Sequence, residues 1–431
     1  MKMIIMKKKL DGGLKIPNII LFYLSLLFST NIYSSQIYDY QTEQFIEKLN
    51  SKILSVNEYN KKIRFKIFND DFPNAFVTEE NIIYLSSGLL IHSPDYVSLL
   101  AVLAHEIGHI ENYHITKRKN EIDSLKKINN LGNIAAIAGS MIIQQPELLN
   151  TIIVNQSAVN NLYINFSQEQ EKEADLYAVD TLNNLDLSTN SIKQFLVLLE
   201  DKTNFDLIDD ELKKFSTHPL FQERYDIIDY KKVNNTNNFN QNYQNDFEFI
   251  KAKFMAYTNN GLPNNLNHDE KIYYDAIRLS INGDLHSSLR KINFLVSKYN
   301  VKSFLYETKA DILLSYGYNK EALEFYQKVL NNNPQNKYVK FNIFMYSDLN
   351  SEDKNNIRQI FLDYQNLIEF FPNNINFIKK YYNLSNTLGY EDWVAFFEIL
   401  LFKKNSHEIK LKELLEATTD NNLKKIIKLY T

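Results

Sequence analysis

His105-Glu106-Ile107-Gly108-His109 sets two imidazoles four residues apart, with a carboxylate beside the first. On a helix, four residues turn about 40° around the axis, so both rings lie on one side, one turn apart. That spacing suits a single Zn²⁺ accepting two nitrogen ligands at about 2.0–2.1 Å. Glu106 then stands next to the first ligand, near enough to reach an attacking water but not turned to coordinate. This is the HExxH pattern with its chemistry intact.

The pattern needs a helix to carry it. Ser93 is a good N-cap and Pro94 suits the first helical position, so a helix is expected from there. Leu100, Leu103, Ala104, Ile107 and Ile110 give it a burying stripe. If that helix continued, His114 would lie nine residues from His105, about 180° around and facing away from the metal, as a structural residue.

A third ligand is expected from Ser167-Gln168-Glu169-Gln170-Glu171-Lys172-Glu173-Ala174-Asp175. Ser167 and Gln170 form a capping box, which starts a second helix. Glu171 and Asp175 share one face of it. Glu171 can bind zinc, and Asp175 can accept the free ring N–H of a ligating histidine and fix its tautomer. Glu169 and Glu173 point roughly 200° away, toward solvent. An acidic first turn also complements the helix dipole, so the two roles can coexist.

Composition narrows the chemistry further. Cysteine is absent, which excludes disulfide scaffolds, thiolate zinc sites, iron–sulfur clusters and thiol proteases. With 48 Lys+Arg against 52 Asp+Glu the net charge is −4, which speaks against a nucleic-acid partner. At roughly 100–200 residues per domain, 431 residues predict two or three domains.

Lys2, Lys7, Lys8, Lys9 and Lys15 precede the apolar run Ile19–Phe28, and small residues follow. This is the layout of a secretory signal, so residues 1–34 are read as a signal peptide cleaved after Ser34, an uncleaved anchor being the alternative. Without residues 1–34 the net charge is −8, five Lys and one Asp being lost. Residues 35–230 mix helical periodicity with strand-like pieces. Residues 231–246 are Asn-rich and read as a linker. Leu131 to Ile143 is too short to span a membrane and reads as a buried helix or a peripheral membrane contact.

Residues 247–431 look wholly helical. Ala276, Gly283 and Ser288 recur 34 residues later as Ala310, Gly317 and Ala322, with Leu289 matching Leu323 and Pro334 closing the unit. This resembles the tetratricopeptide (TPR) repeat, whose stacked helix pairs form grooves for peptides or partner proteins. A further unit ending near Pro372 is out of phase by four residues.

HExxH followed by Glu171-x-x-x-Asp175 resembles the HtpX, Oma and CAAX-prenyl-protease group of zinc metallopeptidases. Asn74-Ala75-Phe76, followed by Ile82-Ile-Tyr-Leu-Ser-Ser-Gly88-Leu-Leu, is similar to that family's substrate-binding edge segment and the strand after it. His218-Pro219-Leu220 with Arg224 is similar to its His-Pro motif near the metal. Gln168 departs from the family, which usually carries Arg there. The resemblance implies a gluzincin-type α+β fold, mostly helical with a small β-sheet, followed by an all-α TPR-like solenoid. It implies one Zn²⁺ per chain on His105, His109 and Glu171, with Glu106 as the base. His218 or Arg224 would stabilise the oxyanion, or His218 would occupy the open zinc position and hold the enzyme latent. Members with a signal and a repeat tail imply a periplasmic endopeptidase of misfolded or stalled outer-membrane proteins, its TPR groove docking substrate or the barrel-assembly machinery. The competing reading is a TPR chaperone or adaptor with a largely latent protease domain.

Overall fold

The structure is a computed structural model that describes residues 36–431 except 60, 79, 118–119, 121–165, 206–221, 231–237, 262, 348–352, 373 and 403–406. The segments read as a signal (1–34) and as a second apolar stretch (131–143) lie outside the described residues. So does His218.

A four-stranded sheet has the order β1-β2-β4-β3, built from β1 (Gln36–Ile37), β2 (Arg64–Phe68), β3 (Ala75–Val77) and β4 (Ile82–Ser86). β2 and β4 run parallel, while β1 and β3 pair antiparallel at the two edges. β3 is therefore an edge strand whose ladder partner among the described residues is β4. Ala75, Phe76 and Val77 are all buried, and the Phe76 ring stacks on Tyr84 at 5.0 Å.

Helix α1 (Tyr40–Val56) precedes β2, a short α2 (Ser87–His92) follows β4, and α3 (Tyr96–Glu111) carries the HExxH pattern. Its N-cap is Asp95, not Ser93. Asp95 Oδ1 accepts from the Ser98 N–H at 2.7 Å, whereas Ser93 closes α2 and gives its hydroxyl to Leu89 O. The difference of two residues follows from α2 ending where the sequence suggested a beginning.

Of three further helices, α4 (Gln168–Asn184) and α5 (Asn190–Phe205) pack on α3, and α6 (Gln222–Tyr230) packs on α4 and α5. Asp95 also accepts from the Ser191 hydroxyl at 2.9 Å, which ties the start of α3 to α5. Helix α7 (Gln241–Thr258) begins inside the Asn-rich stretch and joins the same core as α1 and α3, with Phe247 stacked on Phe45 at 5.8 Å. Lys253 of α7 donates to Asp39, the N-cap of α1, at 2.7 Å, and both residues are buried.

Beyond α7 the described residues form helices and no strand. They run as helix pairs: α8 (His268–Ile281) with α9 (Leu285–Lys298), α10 (Ser303–Ser315) with α11 (Asn319–Asn332), α12 (Lys337–Tyr346) with α13 (Lys354–Tyr364), and α14 (Ile375–Leu388) with α15 (Glu391–Phe402). Helices α16 (His407–Ala417) and α17 (Asn421–Ile427) follow. Gly283 and Gly317, 34 residues apart, take φ +94° and +82° and end α8 and α10 in the same way. Asp284 N donates to Leu279 O, and Tyr318 N to Leu313 O, the Schellman closure that favours glycine at a left-handed position. The four-residue phase slip shows in the helix starts, since α10 and α12 begin 34 residues apart and α12 and α14 begin 38 apart.

Candidate metal centre

α3 is buried nearly along its whole length, and His105, Glu106 and His109 are all under 5% exposed. α4 starts with the expected capping box: the Ser167 hydroxyl accepts from Gln170 N, and the Gln170 side chain accepts from Ser167 N. The two helices cross at Gly108, between the two histidines. A Cβ there would lie 3.1 Å from both Ala174 Cα and Tyr177 Cβ. A side chain there would have to push these atoms back by a few tenths of an ångström, and the close approach brings Glu171, about one turn before Ala174, onto the histidine pair.

His105 Nε2 and His109 Nε2 are 3.1 Å apart, and Glu171 lies 3.5 Å from each through its two oxygens. Zinc with bonds of about 2.0–2.2 Å in a tetrahedron spaces its ligand atoms by roughly 3.3–3.5 Å. The distance from each histidine to its nearer Glu171 oxygen matches that spacing and the histidine pair is slightly closer, and two imidazoles with a carboxylate are a donor set that zinc accepts. No other group of three His, Cys, Asp or Glu side chains with this convergence occurs among the described residues.

The ligands are held from behind. Asp175 Oδ1 lies 2.9 Å from His105 Nδ1, as the four-residue spacing from Glu171 predicts. Arg224 of α6 grips Asp175 with two bonds, Nε at 2.7 Å and Nη2 at 2.8 Å, and its Nη1 is 3.3 Å from Glu171. Burial works to raise the Asp175 pKa, but Arg224 and His105 outweigh it and hold the carboxyl below its ordinary value. For His105, burial opposes the charged ring, yet Asp175 and Glu171 raise its pKa above the ordinary value. The Arg224 guanidinium is thus engaged by the two carboxylates, a placement its sequence position did not reveal.

His114 departs from the sequence expectation. α3 ends at Glu111, Tyr113 takes φ +57°, and helical structure resumes at His114. The ring consequently returns to the site. Its Nδ1 lies 2.9 Å from His109 Nδ1, and its Nε2 lies 2.8 Å from Glu173 Oε2. Glu173, expected in solvent, is half-buried against it, while Glu169 is exposed. Phe166, just before the capping box, stacks on His109 at 3.7 Å. His114 and Phe166 were legible as residue types but not as parts of the site, because both depend on where chain segments turn.

Residues 40–232 match the profile of Peptidase family M48. The chain carries a domain of that metallopeptidase family. A Vibrio cholerae protein named for beta-barrel assembly enhancement is 28% identical over 186 residues, 42% of this chain and 37% of that protein. The Beta-barrel assembly-enhancing protease of Yersinia pestis is 26% identical over 189 residues, 44% of this chain and 38% of its own length. Metalloprotease LoiP of Escherichia coli K12 is 28% identical over 176 residues, 40% of this chain and 63% of its own length. The chain thus spans about two fifths of the length of the first two of these relatives. M48 metallopeptidases use zinc, and the His105–His109–Glu171 triad is where this chain could hold it. No helix among the described residues is long and apolar enough to cross a membrane.

Proposed function

We propose that the protein is an exported zinc-dependent endopeptidase acting on misfolded or stalled outer-membrane proteins. The observation that carries this reading is the convergence of His105, His109 and Glu171 from two helices at edges of 3.1–3.5 Å. The M48 match and the names of the relatives support the same reading. The signal-like layout of residues 1–34 supports export, with the periplasm as the proposed location of the mature protein.

Held by His105, His109 and Glu171, zinc would supply Lewis-acid polarisation of the scissile carbonyl and a more acidic water. Glu106 accepts the proton of the attacking water and delivers it to the leaving amine. Asp175 and Arg224 hold His105 and Glu171 in place, so Arg224 acts through the ligands. Stabilisation of the oxyanion is then left to His218. Asn74, Ala75 and Phe76 offer an extended substrate a strand edge beside the site, which favours unfolded chains. The helix pairs after α7 act as a TPR-like array that docks substrate or the barrel-assembly machinery.

The test is Glu106→Gln. The variant is expected to keep one zinc per chain and lose cleavage of casein, while a chelator abolishes cleavage by the wild type. Full residual cleavage by the variant would remove the proposed base. A zinc-loaded wild type that is inert yet suppresses aggregation would favour a docking protein instead.

A further inference from the structure

We propose that His114 is a positioning residue for the metal ligand His109, and that it transmits the hold of Glu173 through its own ring. This rests on the metal-site reading above. Both ligating histidines need a partner on the nitrogen that faces away from the ion, since that partner fixes tautomer and ring orientation. For His105 it is a buried carboxylate, Asp175. For His109 it is a second imidazole, His114, at 2.9 Å.

The tautomers follow from counting hydrogens. With Nε2 of His109 turned to the site, its proton resides on Nδ1, which donates to Nδ1 of His114. A neutral His114 then carries its own hydrogen on Nε2, which donates to Glu173 Oε2 at 2.8 Å. Each nitrogen in the chain has one role and no role conflicts.

The turn that delivers His114 is built, not incidental. The Asn112 amide and backbone N–H both donate to Gly108 O, at 2.9 and 3.0 Å, ending α3 within the motif's last turn. Lys61 donates to Ile110 O at 2.7 Å and lies 3.8 Å from the centre of the Tyr113 ring, fixing the left-handed residue. His114 is fully buried although Tyr113 before it is exposed. The Phe166 ring covers one face of His109 at 3.7 Å, so that ligand is held at its face and at its outer nitrogen together.

The experiment compares zinc affinity, by chelator competition, and the visible spectrum of the cobalt-substituted protein for wild type, His114→Leu, His114→Gln and Glu173→Ala. His114→Leu should weaken zinc about 10- to 100-fold and change the cobalt spectrum. His114→Gln, whose amide can accept from His109 and donate to Glu173, should recover part of that loss. Glu173→Ala should weaken zinc by a smaller factor while the metal-free protein unfolds at the wild-type temperature. The partly exposed Glu173 and the glutamine variant keep the test open if His114→Leu fails to fold. Wild-type zinc affinity in Glu173→Ala and in both His114 variants would overturn the proposal and leave the proposed function standing. A wild type that takes up no zinc would overturn both.

Discussion

Arg224 and Asp175 meet through two parallel bonds of 2.7 and 2.8 Å, so the carboxylate that orients His105 is itself immobilised. A fork of this kind is geometrically specific to arginine, and both partners are buried. Lysine offers a point charge in place of the fork. Arg224→Lys is therefore expected to lower zinc affinity about 10- to 100-fold, read by chelator competition. Wild-type affinity would show that the fork is dispensable.

The close crossing at Gly108 gives a second expectation. Gly108→Ala must push Ala174 and Tyr177 back by a few tenths of an ångström from 3.1 Å contacts. Such overpacking costs about 1–3 kcal/mol and moves Glu171 away from the histidines. Thermal unfolding of the metal-free variant should shift down, and zinc binding should weaken beyond the wild type. Unchanged zinc binding would mean that Glu171 adjusts independently of the helix contact.

Lys253 and Asp39 join α7 to the start of α1. Lys253→Ala strands a buried carboxylate that also caps α1 through the Thr42 N–H at 2.8 Å. Removing one partner of a buried pair costs about 3–5 kcal/mol. Denaturant unfolding should report a loss of that size, and a loss under about 1 kcal/mol, the usual worth of an exposed pair, would place the pair in solvent.

Glu307 on α10 supplies a pH dependence. Burial is the main cause lifting its pKa from 4.5 to about 8, opposed by Lys253 and reinforced by Asp311 and Asp39. Between those two values the folded state binds more protons at this site than the unfolded state does. Stability therefore falls as pH rises through this window and levels off above about 8. Glu307→Gln, which can still accept from Asn336, should flatten that decline in denaturant titrations between pH 5 and 8. An unchanged slope would assign the decline to other groups.

The local parts of the site were readable because their physics is local. The i,i+4 histidines, the Ser167–Gln170 capping box and the Glu171–Asp175 pair depend only on helix geometry, and all three stand as spaced. The 34-residue recurrence of Gly283 and Gly317 was readable for the same reason, since a left-handed helix end favours glycine wherever it occurs. What escaped depends on turns and crossings. Helix periodicity carried past Asn112 puts His114 on the far side, whereas a left-handed Tyr113 turns it back. Arg224 reaches Asp175 from 49 residues away, a distance over which no periodicity speaks. The start of α7 lay hidden in an Asn-rich stretch because Asn240 serves there as an N-cap, accepting from Asn242 N and Tyr243 N.

Anomalous diffraction at the zinc absorption edge, from crystals of the zinc-loaded protein, tests the central claim most directly. One peak per chain is expected, within about 2.0–2.2 Å of His105 Nε2, His109 Nε2 and a Glu171 oxygen. A peak elsewhere, or density at the histidine pair without Glu171, would contradict the site and the hydrolytic chemistry built on it.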